Sequence, residues 1–193
     1  MTFLFAPRVS TGALALLAGV LAGLAASSPA PALVEKVMTV CSGQLCPFFR
    51  PVFAVPDGWW EDGKTGLRLG VRLFVPVGET FDSAPAVIYA SARQAHEGEN
   101  LAAAIEQHHE TWRRKVPEVA ITRLGDIRRG DGAAFQQHEF VSPKLTQPYE
   151  RVATATDRDL EGAAFVVRVV LTAKSEASLK AAEESFLAIL KSY

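Results

Sequence analysis

Cysteine and histidine are scarce: the 193 residues hold two of the first, Cys41 and Cys46, and four of the second. Two thiols with no histidine close in sequence are too few for a closed zinc site. His108-His109-Glu110 lacks the second histidine of His-Glu-x-x-His, and adjacent helical residues point about 100° apart, so the two cannot easily hold one ion. His96 and His138 have no ligand spacing to each other. No metal ligand is nominated. The Gly-x-Gly-x-x-Gly and Walker loops that cradle phosphates are missing, so no cofactor is expected. Gly-x-Ser-x-Gly is missing too, and Ser42 has no strand-to-helix elbow around it, so no catalytic residue is nominated. Excess charge of one sign is also lacking. Lys and Arg number 20 against 21 Asp and Glu, a formal charge of −1 that gives nucleic acid no basic face.

What the sequence does have is an apolar start. Arg8 is the only charged residue before Glu35, and Val9 to Ala26 is an Ala/Leu/Gly run followed by Ser27-Ser28-Pro29-Ala30-Pro31-Ala32. A weak positive start, an apolar middle and a small-x-small site read as a secretory signal. Cleavage is expected after Ala32, leaving 161 residues and taking the formal charge to −2 as Arg8 is lost. An uncleaved anchor is the alternative, because eighteen apolar residues just span a bilayer. The expected location is therefore periplasmic or secreted, with no stable membrane span after cleavage.

In an exported chain, Cys41-Ser-Gly-Gln-Leu-Cys46 suggests a small disulfide-closed loop. The competing redox reading suffers from a four-residue spacer leading into Pro47, where thioredoxin-type pairs have two. So short a loop limits the entropic gain to on the order of 2 kcal/mol. It is a local staple.

Residues 38–55 are extended in character, interrupted by Pro47 and Pro51, and Gly63-Lys-Thr-Gly66 reads as a turn. Alternation predicts strands over 69–77 and 86–92, and further strands over 119–124, 133–141 and 150–156. Residues 164–172 are apolar on both sides, as for a central strand. Asn100 predicts a helix to about Val116, with Leu101, Ile105, His108 and Trp112 on one face and His109 solvated. Ser175 predicts a final helix with Leu179, Ala182, Phe186, Ile189 and Tyr193 buried. Hairpin-linked strands with two helices give an α+β fold, an antiparallel sheet flanked by helices.

Phe53-Ala-Val-Pro-Asp-Gly-Trp59 before the first long strand resembles the PsbP-like family. So do the Phe81-Asp82 bend before Val87-Ile88-Tyr89, the single central helix, and Val169-Val-Leu-Thr-Ala-Lys-Ser175 with its helix. The fold of that family is shared by photosystem II extrinsic proteins and a Ran-binding nuclear import factor. The resemblance covers residues 50–193 and implies an α/β/α sandwich. It implies no single activity, since the fold serves mostly as an assembly or binding module. The chain thus divides into a signal peptide (1–32), an extended segment with the disulfide loop (33–49) and a PsbP-like domain (50–193).

Phe48-Phe49, Phe53 and Trp59-Trp60 crowd beside the cysteine loop. In extended chain neighbours face opposite ways, so one of each adjacent pair is expected to be exposed. Phe48, Phe49, Trp59 and Trp60 are the candidate partner-binding residues. The reading is an exported, non-enzymatic binding or assembly module acting on an unidentified protein or envelope component. The alternative is a periplasmic small-ligand-binding protein or hydrolase using a groove on the sheet, with Arg72, Tyr89 and Arg168 on one face. Glu97, Glu99, Asp157, Asp159 and Glu161, and the Arg128-Arg129 pair, are expected in solvated turns.

Overall fold

The computed structural model describes residues 34–193 other than Ser42, Gly130 and Leu160, and the Cys41 side chain is likewise outside the description. The expected signal peptide lies outside the described residues, and those described fall in one compact unit, Pro31–Tyr193. Two strands, β1 (Val34–Cys41) and β2 (Gln44–Pro51), form a separate antiparallel hairpin. The main sheet runs β3 (Trp59–Glu61), β4 (Arg72–Pro76), β5 (Ala86–Gln94), β10 (Ala164–Ala173), β9 (Tyr149–Arg158), β8 (Ala134–Val141) and β6 (Ala120–Arg123). The short β7 (Ile127–Arg128) pairs with β8, and every pairing in the sheet is antiparallel. The α+β class follows, with three helices where the sequence predicted two.

β10 is central, between β5 and β9, and its residues are buried on both sides except for the half-buried Ala164 and Arg168. Its odd residues, Phe165 to Ala173, face α3 (Glu176–Lys191), whose Leu179, Ala182, Phe186, Ile189 and Leu190 fill the main core. Ala86, Ala90, Ala153, Ala155 and Ala173 supply the small side chains on that face. Ser175 caps α3 by accepting from Ser178 N at 3.1 Å. On the other face lies α2 (Leu101–Lys115), capped by Asn100 accepting from Ala103 N at 2.9 Å. Its Trp112 packs with Phe140, Val152 and Val170. Cations in its last turn, Arg113 to Lys115, suit the helix dipole. The sheet is therefore layered between helices on both faces.

The helix that the sequence did not predict is α1 (Gly63–Leu69), which replaces the expected turn and the first residue of the expected strand. Asp62 accepts from Thr65 N at 3.0 Å and starts it. Gly70 ends it in the left-handed region at φ 70°. Gly66 is required by packing: a Cβ there would lie 2.6 Å from the Val71 carbonyl oxygen. Backbone cannot yield as a flexible side chain does, so Gly66→Ala is expected to cost about 1–3 kcal/mol. A urea midpoint equal to that of the wild type would show that α1 has room to shift.

Candidate functional site

Two surfaces carry chemistry, and the first begins at the hairpin. Register pairs Val34 with Pro51, Lys36 with Phe49, Met38 with Pro47 and Val40 with Leu45, so alternation puts these residues on one side. Near its base that side is anchored: Val34 is buried, and Phe49 packs at a tilt against Phe165 with ring centroids 5.0 Å apart. Toward the tip its apolar side chains are open among the described residues. Met38, Val40 and Leu45 are 57%, 70% and 72% exposed. Isolated exposed apolar residues are ordinary, but three on one short ribbon form a patch.

Between the hairpin tip and α1 lies a cleft of about 810 Å³. Val40, Pro47 and Phe48 line it from the hairpin, and Leu67 and Leu69 from α1. Leu67 and Leu69, 53% and 49% exposed, extend the apolar surface onto the helix. The same wall carries Lys64 and Arg68, neither of which makes an ion pair among the described residues.

The four predicted aromatics separate as adjacent extended residues must. Phe49 and Trp59 pack against the main core. Phe48 is half-buried in the cleft. Trp60 is exposed but does not line the cleft, and its Nε1 donates to the Glu79 carbonyl at 3.4 Å. Register sets Cys41 opposite Gln44 and Cys46 opposite Thr39, and Cys46 falls on the other side of the same hairpin from Met38 and Val40.

The second surface is the sheet face beneath α2, where two cavities open but the expected trio of residues does not assemble. Tyr89 pairs with Val170 and Arg168 with Ser91, which puts both on the α2 face. Arg72 pairs with Ala90 and so points to the opposite face. There it is buried, donating to Glu61 at 3.0 and 2.6 Å and to the carbonyls of Pro51 and Phe53. The expected trio on one face is therefore broken, because a one-residue register difference reverses the face.

Glu150, on strand β9, takes the central place. It is 8% exposed and its Oε2 accepts from the Tyr89 hydroxyl at 3.3 Å. Burial pushes its carboxyl up to about 7, offset in part by Tyr89 and the Arg168 charge. Tyr89 is raised well above the usual phenol range by burial and then by Glu150. Arg168 lies half-buried with no ion pair among the described residues, and its buried Nε has no hydrogen-bond partner. Two cavities, about 500 and 340 Å³, share Tyr89 and Glu150 as walls. Trp112, Val116, Leu145 and His108 line the larger, and Leu69, Val71, Leu73 and Phe81 the smaller.

Of the two adjacent histidines on α2, one departs from expectation. His109, expected in solvent, is buried at 8% exposure, with its ring 4.6 Å from His138 and 5.6 Å from Phe140. His108 is half-buried at the groove wall, where burial and the Arg168 charge lower it to about 3. Among the described residues no group of three or more His, Cys, Asp or Glu side chains is close enough to hold a metal.

Some of the expected solvated turns are ion-paired. Glu99 meets Arg93 at 2.5 Å and is lowered to about 2 by that hydrogen bond. Arg129 is buried, pairs with Asp131 at 2.7 Å and Asp157 at 3.3 Å, and stacks 4.7 Å from the Tyr193 ring. Among the described residues no helix is long and apolar enough to cross a membrane. No protein-family model matches the chain, and no curated protein matches it significantly.

Proposed function

We propose that this chain is an exported, non-enzymatic binding module of PsbP-like type that docks a protein partner in the cleft between the hairpin tip and α1. One observation carries the reading: a cleft in which the apolar Val40, Pro47, Phe48, Leu67 and Leu69 stand beside Lys64 and Arg68, neither of which makes an ion pair among the described residues. Apolar walls beside unpaired cations complement an apolar segment flanked by acidic side chains. Export is supported by the apolar N-terminal run and small-residue site, and by two cysteines on one hairpin. A Cys41–Cys46 bridge would pin the ribbon that bears Met38, Val40 and Leu45, at little gain to the stability of the whole domain.

Lys64→Glu with Arg68→Glu tests the reading without disturbing the core, because neither side chain is buried. Capture of the partner from envelope extract by the mature protein is expected to fall at least about tenfold, with the melting temperature unchanged. Undiminished capture would remove the cleft from the account. Binding to anionic lipid vesicles in place of a protein would identify the patch as a membrane contact instead.

A further inference from the structure

The groove under α2 shares with the hairpin cleft the wall residue Leu69, and its central carboxylate is under-partnered. Glu150 sits in strand β9 on the sheet face, more than nine-tenths buried, and lines both cavities. An ionised carboxylate has about four lone-pair sites. Here a single hydroxyl, Tyr89 at 3.3 Å, occupies one of them, and no cation forms an ion pair with it among the described residues. Buried charges are ordinarily paired, so this arrangement is costly unless something else completes it. The walls on either side are apolar and aromatic, with Trp112, Val116 and Leu145 in one cavity and Leu73 and Phe81 in the other.

We propose that this groove binds an amphipathic organic amine, whose ammonium N–H groups pair with Glu150 and whose apolar arm lies against Trp112 and Leu145. The larger cavity, about 500 Å³, has room for an arm the size of a phenylalkyl group. Aromatic rings beside the ammonium, Tyr89 and Trp112, add attraction for a cation that a carboxylate or neutral ligand would not gain. Gln147, whose Oε1 already accepts from Thr172 Oγ1 at 3.0 Å, leaves its amide donors for a second polar group of the ligand. Charged and titratable groups around Glu150 are Tyr89 from β5, Arg168 from β10, and His108 and Lys115 from α2. Lys115, on the last turn of α2, is exposed and so is screened by solvent.

Calorimetric titration of the mature protein with 4-phenylbutylamine, 4-phenylbutanol and 4-phenylbutyrate separates the possibilities. The amine is expected to bind at least about tenfold tighter than the alcohol, and the carboxylate more weakly than either. Glu150→Gln should abolish the preference for amine over alcohol while leaving alcohol binding in place. In the wild type, amine affinity should rise between pH 6 and pH 8 as Glu150 ionises. Equal binding of amine and alcohol, tighter binding of the carboxylate, or no binding of the amine would each overturn the proposal. So would a Glu150→Gln variant that keeps the preference.

Discussion

Glu150→Gln should gain stability over the wild type as pH rises, the gap opening by about 3 kcal/mol between pH 4.5 and pH 7. In the folded protein the carboxyl is raised to about 7 by burial, against an ordinary value of 4.5. Between those two values the folded state holds a proton that the unfolded state has released. Stability is therefore lost as pH rises through the window and stays low above it. Glutamine keeps the shape and can accept from Tyr89, but it has no charge to desolvate. His108 acts in the opposite sense: its folded value, lowered to about 3, means that the unfolded state takes up the proton first. Stability from this group is full above about 6.5 and falls as pH drops toward 3. His109 and His138 are shifted in the same direction, each mainly by burial. Removing Glu150 exposes the acid-side loss, and His108→Asn reduces it. Urea midpoints of the three proteins from pH 4.5 to pH 8 check both signs. Parallel curves for wild type and Glu150→Gln would mean that the carboxyl is not desolvated in solution.

The other large loss is expected on the opposite face. Arg72→Met should destabilise the domain by about 3 kcal/mol, because Glu61 and two backbone carbonyls lose their donors together. Glu61 retains some contact with water, which moderates the penalty. Arg72→Lys should recover part of it, since an ammonium keeps the charge but lacks the planar fork. Arg72 also ties the end of β2 to β4 through the Pro51 and Phe53 carbonyls. Its loss should therefore increase proteolysis around residues 51–57 before global unfolding. A denaturation midpoint within about 1 kcal/mol of wild type, with no new cleavage, would show that the network contributes little.

Much of this fold is legible in the sequence because local and tertiary signals agree there. Asn100 and Ser175 start the helices they were expected to start. The two-sided apolar run of β10 belongs at the centre of the sheet, where it is found. What escaped depends on pairing or on packing. Gly63 and Gly66 read as a turn, and Gly70 as strand, because the helix they belong to rests on the Asp62 cap and on contact with Val71. Pro47 and Pro51 obscured β2, whose pairing with β1 spans the whole of each strand. Arg72 reads as a neighbour of Tyr89 because only the register with Ala90 reveals its face. Arg129 looked like a turn cation, yet a neighbour distant in sequence, Tyr193, helps bury it. Glu150 had one available signal: it alternates with Val152 and Thr154, which places an acid on a sheet face.

Arg72 on the Pro51 carbonyl and Phe49 on Phe165 anchor the hairpin, and the docking proposal depends on that anchoring. A benzophenone side chain at position 40, compared with one at the exposed Glu184 on α3, measures docking most directly. In envelope extract the account predicts one defined protein adduct from position 40, none from position 184, and loss of the first when Lys64 and Arg68 are both changed to Glu. Equal adducts at the two positions, no adduct at position 40, or an adduct indifferent to those charges would contradict it.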